Sequence, residues 1–147
     1  MSEITVKKAE QCHVPQIAEI EKKSIPQPWS EAAFAAALAD EKAVTLAAFC
    51  EDVLCGFITG VYLLDTADIY SVAVSENYRK KGVGKFLLEE FFSALPDEVQ
   101  AVNLEVRESN SPAIKLYEKT GFQSVGLRKN FYRDPRENAV LMTKILC

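Results

Sequence analysis

The sequence predicts a mixed α/β (α+β) protein, with a mostly antiparallel central sheet and flanking helices. Three observations carry that reading. Seven short stretches have the alternation or continuous apolar character of strands. Four others read as helices, most of them with apolar residues every three or four positions. The two kinds interleave as β-α-α-β-β-β-α-β-α-β-β, with no internal repeat, low-complexity tract or linker, so residues 1–147 are expected to form one domain.

Each element has a local reason. Ile4–Ala9 alternates as a first strand. Val14, Ile17, Ala18 and Ile20 then recur at helical spacing, with Glu19, Glu21, Lys22 and Lys23 assigned to the opposite, polar side. Pro26 and Pro28 break that helix and leave Trp29 in an irregular segment. Ser30 is an N-cap for a second, alanine-rich helix through Phe34 and Leu38. Ala43–Cys50 and Leu54–Leu64 read as two strands joined at Glu51-Asp52, and Asp68–Val74 as a third. After the loop Arg79–Gly84, a helix places Val83, Leu87, Phe91 and Leu95 at i+4 steps, and Pro96 stops it. Ala101–Arg107 is a strand with Val102, Leu104 and Val106 on one face and Asn103, Glu105 and Arg107 on the other. Ser111–Thr120 is a helix closed by Gly121. Phe122–Leu127 and Ala139–Leu146 end the chain as strands around a loop, Lys129–Asn138.

Composition excludes several function classes. Apolar residues make up 48% and charged residues 26%, the balance of an ordinary soluble globule rather than a disordered or membrane chain. No apolar run reaches the roughly 20 residues that span a bilayer, so no membrane role is expected. The start Met1-Ser2-Glu3-Ile4-Thr5 lacks a secretory pattern, which makes the cytoplasm the expected compartment. A net charge of −4 argues against nucleic acid as partner. Cys12, Cys50, Cys55 and Cys147 match no zinc spacing, and His13 is the single histidine, so no metal is expected and the cysteines read as free thiols. That lone histidine also disfavours Ser-His-Asp or Cys-His catalysis.

The loop Arg79-Lys80-Lys81-Gly82-Val83-Gly84 lies between a strand and a helix. A helix N-terminus offers unpaired N–H groups and partial positive charge to an anion, and Gly82 and Gly84 are expected to let the backbone approach it. Taken alone, the loop reads equally as a helix junction with solvated basic residues. It lacks the third glycine of a dinucleotide fingerprint and the G-K-[ST] of a Walker loop.

Here the sequence resembles the GNAT superfamily of N-acetyltransferases. Arg79, Gly82 and Gly84 satisfy its motif [QR]-x-x-G-x-[GA], set after Ser71-Val72-Ala73-Val74 and before a helix. Asn110–Phe122, with Ala113, Leu116, Tyr117, Gly121 and Phe122, is similar to its second cofactor-side motif. The resemblance implies the GNAT fold of acyl-CoA N-acyltransferases and acetyl-CoA as cosubstrate. It implies that the pyrophosphate lies on Arg79–Gly84 and the pantetheine arm beside Val72, Ala73 and Val74, whose backbone N–H groups would polarise the thioester. Asn110 would contact CoA, or cap the following helix, or both.

A finer resemblance is to bacterial ribosomal-protein-alanine N-acetyltransferases. Pro28-Trp29-Ser30 with Phe34, Leu104–Asn110, Ala113–Glu118 and Arg128–Tyr132 with Glu137–Ala139 and Met142 carry it; Phe131 and Asn138 depart from the family's frequent Tyr and Asp. It implies Glu105 as general base, Tyr117 as general acid, and the N-terminal peptide of a small-subunit ribosomal protein as acceptor. By residue type alone, Glu105 also reads as a solvated carboxylate paired with Arg107, and Tyr117 as a core aromatic. Trp29 and Tyr132, with Glu137 nearby, are assigned to the peptide groove, Trp29 alternatively to the core. The protein is expected to be a monomer or weak dimer. A small-molecule amine as acceptor and a catalytically silent CoA-binding regulatory domain are the competing functions.

Overall fold

The computed structural model describes residues 3–25 and 28–146; Met1, Ser2, the Pro26 break and Cys147 lie outside the described residues. The strands are β1 (Ile4–Lys8), β2 (Ala43–Cys50), β3 (Val53–Leu63), β4 (Thr66–Val74), β5 (Ala101–Arg107), β6 (Gln123–Tyr132) and β7 (Glu137–Ile145). The helices are α1 (Val14–Ser24), α2 (Glu31–Ala39), α3 (Val83–Ala94) and α4 (Ser111–Lys119). The sheet runs β1-β2-β3-β4-β5-β7-β6, antiparallel throughout except for the parallel pair β4–β5. This is the mixed, mostly antiparallel sheet with flanking helices that the element order predicts.

Helices cover both faces. On one, Val83, Leu87, Leu88 and Phe91 of α3 and Tyr117 of α4 pack with Ile58, Ile69, Val102, Leu104 and Val106 of the sheet. On the other, Val14, Ile17 and Ile20 of α1 and Phe34 of α2 pack with Ala47 and Phe57. Ser30 caps α2 by accepting from Ala33 N–H at 3.1 Å, and Gly121 ends α4 at φ +104°. Both are the roles expected of them.

Two expectations need correction. Glu21 is not on the solvated side of α1: it is 1% exposed. It follows Val14 by seven residues and Ile17 by four, which puts it on their stripe. The loop expected over Lys129–Asn138 is mostly strand. β6 continues to Tyr132, which pairs with Glu137, and only residues 133–136 remain as the turn. Two extra residues bulge out of β6 between Arg128 and Tyr132, with Asn130 at φ +52°. Asn138 makes this bulge possible by accepting from Asn130 N–H at 2.9 Å and donating to Glu108 at 3.2 Å.

A second bulge, in β4, sets which side chains reach each face of the sheet. Thr59 faces Ser71 and Gly60 faces Ile69, so Tyr70 is the additional residue. Such a bulge turns two successive side chains to the same face. Tyr70 and Ser71 both meet the α1–α2 side, where Tyr70 lies against Trp29 and Ser71 bonds Glu21, while Ile69 and Val72 pack on the α3 side. Gly60 is required opposite the bulge, since a Cβ there would sit 2.5 Å from the Asp68 carbonyl oxygen and 2.8 Å from Phe91.

Candidate active site

The sheet opens beside the β4 bulge. β4 and β5 pair only at Thr66–Asp68 with Ala101–Asn103, although β4 continues to Val74 and β5 to Arg107. The ladder with β3 shows which main-chain groups face the gap. Ser75 N–H donates to the Cys55 carbonyl at 2.7 Å, so alternation turns the main-chain groups of Ala73 toward β3 and those of Val72 and Val74 toward the gap. The Val74 carbonyl indeed accepts from the Arg79 guanidinium at 3.0 Å. Of the three residues assigned to this strand, Val72 and Val74 therefore present free N–H groups, and Ala73 belongs to the ladder.

The basic loop closes the end of the gap. Lys80 (φ +63°) and Gly82 (φ +86°) are left-handed, which curls successive N–H groups inward. Gly82 caps α3 without a side chain, and a Cβ there would meet nothing within 4 Å. The first intrahelical bond runs from Phe86 N–H to the Gly82 carbonyl, so the N–H groups of Val83, Gly84 and Lys85 point out of the helix end. Val83 itself is a buried core residue. Gly84 has a packing reason as well: a Cβ there would press within 2.9 Å of Leu116, so its absence allows α3 and α4 to approach. Lys81 extends over the Tyr78 ring at 5.6 Å. Asn110 caps α4, its Oδ1 accepting from Ala113 N–H at 3.2 Å.

Glu105 and Tyr117 lie on opposite faces of the sheet. Tyr117 packs edge-on against Phe122 at 5.7 Å in the α3 core, whereas Glu105, alternating with buried Leu104 and Val106, faces the other way. Burial, reinforced by Tyr132, pushes the Tyr117 phenol far above its ordinary value, so it is protonated at neutral pH. The Tyr132 phenol is likewise raised by burial first and then by Glu105, with Arg107 opposing and Glu137 adding. Glu105 does not pair with Arg107; its partner is Arg128, at 3.6 Å. Arg107 instead bonds the Pro135 carbonyl at 2.9 Å, the Arg133 carbonyl at 3.2 Å and Glu137 at 3.3 Å, and lies 4.4 Å from the Tyr132 ring centre. Glu137 is held below the usual carboxylate range, chiefly by Ser109 and then by Arg107. It is fixed by the Ser109 N–H and the Arg107 guanidinium. Trp29 is half-buried between Phe34 (5.2 Å) and Tyr70 (5.5 Å), packed against the α1–α2 core.

The family model described as "Acetyltransferase (GNAT) family" matches residues 14–122, from the start of α1 to the residue before β6. The chain belongs to the GNAT acetyltransferase family. It is accordingly an acetyl-CoA-dependent N-acetyltransferase. It is 33% identical to the ribosomal protein bS18-alanine N-acetyltransferase of Escherichia coli K12, covering 94% of this chain and 95% of that one. The corresponding Haemophilus influenzae enzyme is 36% identical, over 93% and 95%. Among solved structures, the ribosomal-protein-S18-alanine N-acetyltransferase from Escherichia coli superposes with a TM-score of 0.88 at 32% identity, covering 97% of this chain and 94% of that one.

The GNAT site has donors suited to an acyl-CoA: outward N–H groups at the α3 start for a pyrophosphate, and those of Val72 and Val74 for an extended amide arm. Among the described residues the cysteines Cys12, Cys50 and Cys55 are free thiols, and no helix is long and apolar enough to cross a membrane. Sequence reasoning missed Tyr70, Ser71 and Glu21 as neighbours of the site, and Arg107 as the strut beneath Tyr132. Gly60 within a strand was the available sign of the β4 bulge.

Proposed function

We propose that this GNAT enzyme acetylates the N-terminal α-amine of a protein, the N-terminal alanine of ribosomal protein bS18 being the leading acceptor. The observation that carries the proposal is the full-length similarity to bS18-alanine N-acetyltransferases, at 33–36% identity. The two-sided gap supports it: a chain end can enter from the Trp29–Tyr132 face while the thioester reaches the gap from the α3 face.

In this mechanism acetyl-CoA supplies an activated acetyl group. Arg79, Lys80, Lys81 and the N–H groups from Gly82 to Gly84 hold its pyrophosphate, with Asn110 at the rim. The Val72 and Val74 N–H groups hold the pantetheine arm and stabilise negative charge on the carbonyl oxygen. Glu105 accepts a proton from the α-amine through water, and Tyr117 protonates the departing thiolate. The Tyr117 phenol is protonated at neutral pH and so has a proton to give as that charge develops beside it.

An α-amine suits one exposed carboxylate as base. With a pKa near 7.7–8.0 it is roughly one part in ten neutral at pH 7, against a few in ten thousand for lysine near 10.4. The test is acetyl transfer to a peptide copying the bS18 N-terminus, and to the same peptide with its α-amine blocked. Transfer only to the free amine is expected. Equal transfer to an internal lysine of the blocked peptide, or faster turnover of small amines, overturns the proposal.

A further inference from the structure

The reaction scheme leaves one buried charged group unused. Glu21, near the C-terminal end of α1, is 1% exposed, and no cation pairs with it among the described residues. One carboxylate oxygen accepts from the Trp29 backbone N–H at 2.7 Å; the other accepts from the Ser71 hydroxyl. Both donors are neutral, and they come from segments 8 and 50 residues away in sequence.

Burying a carboxylate costs several kcal/mol, and a packed apolar side chain commonly serves stability as well or better. What a carboxylate offers here is two acceptors at a fixed separation. One holds the loop that carries Trp29, which has no strand or helix of its own. The other holds β4 at Ser71, the residue after the bulge and immediately before the Val72 N–H. Trp29 and Tyr70 lie in contact over the same joint, at 5.5 Å. α1, the Trp29 loop and the bulged strand are therefore tied at a single carboxylate.

We propose that Glu21 is a positioning residue for the acceptor, clamping the Trp29 wall to the Tyr70–Ser71 segment so that the groove beside the β4–β5 gap keeps its width. This rests on the reading that the acceptor enters on the Trp29 face. The donor side is held independently, by the α3 N-terminus and the outer N–H groups of β4. Loss of the clamp should therefore separate the two substrates kinetically.

Trp29 is the one tryptophan in the chain, so its fluorescence reports the wall directly. Glu21→Ala is expected to raise KM for the bS18-type peptide about tenfold, with KM for acetyl-CoA within about twofold, and to increase acrylamide quenching of Trp29. Glu21→Gln should restore both readouts toward wild type: its carbonyl can accept from Trp29 N–H and its amide can donate to Ser71. A peptide KM that does not move, two KM values that rise together, or no rescue by glutamine overturns the proposal. Should Glu21→Ala not fold, Ser71→Ala removes only one of the two bonds; a smaller rise of peptide KM alone, about threefold, is then expected, and no rise overturns it. A wild-type enzyme inactive on the peptide, with quenching still sensitive to Glu21, sinks the acceptor reading and keeps the clamp. An active wild type whose Trp29 quenching ignores Glu21→Ala sinks the clamp alone.

Discussion

Replacing Arg107 by alanine tests the scaffold of the acceptor groove. Its side chain is 17% exposed and gathers two carbonyls of the β6–β7 turn, Pro135 at 2.9 Å and Arg133 at 3.2 Å, beneath the Tyr132 ring. A hydrogen bond from a charged donor contributes about 1.5–3 kcal/mol, and a cation–π contact that water can still reach about 0.5–1 kcal/mol. Water reaches both carbonyls once the arginine is gone, which brings the expected loss down to about 2 kcal/mol. Arg107→Lys keeps the charge but not the planar fork and should recover less than half of that loss. Urea denaturation reads the stability, and amide exchange of residues 128–138 locates the loosening. Peptide KM should rise because Tyr132 loses its support, with acetyl-CoA KM unmoved. A stability change below about 0.5 kcal/mol with unaltered exchange would refute the strut, since surface substitutions ordinarily fall in that range.

Glu105→Gln and Tyr117→Phe should each slow transfer by about 10²–10⁴-fold while sparing acetyl-CoA affinity, measured by steady-state rates and calorimetry; wild-type rates would remove the assigned acid–base roles. Tyr117 also has a pH signature. Its folded-state pKa lies above the unfolded value of about 10, so its stabilisation is complete below that pH and is lost as pH rises above it. The fall in melting temperature above pH 10 should be smaller in Tyr117→Phe. Glu137 has the opposite sign: its lowered pKa gives stabilisation present above about pH 4.3 and lost as pH falls through the lowered value, which Glu137→Gln should blunt. Gly60→Ala should destabilise by about 1–3 kcal/mol, read by thermal melts, because the Asp68 carbonyl leaves no room for a methyl group.

The order of elements was legible because apolar period is a local property. The caps Ser30 and Asn110 and the stop at Gly121 were legible for the same reason. Glu21 was misassigned by residue type, although its distances of four from Ile17 and seven from Val14 placed it on the buried stripe. The Lys129–Asn138 segment looked like a loop because its strand pairing depends on Arg107, Ser109 and Glu108, which belong to other elements. Gly84 was read as approaching phosphate, and its packing against Leu116, 32 positions further along, gave no local sign. The failures are all long-range contacts of residues whose local chemistry suggested something plausible.

The β4–β5 gap is such a long-range feature, and it orders the rest of the site. Two parallel strands that stayed paired to their ends would satisfy every N–H of β4 and leave nothing for an amide arm to bond. The bulge at Tyr70 adds twist where pairing with β5 stops, and Gly60 gives the backbone room to make it. The same bulge turns Tyr70 and Ser71 together toward Trp29 and Glu21. On the proposed function, opening the donor slot and building the acceptor wall both trace to one inserted residue. A variant that closes the bulge should therefore impair both substrates at once, whereas losing Glu21 should impair only one.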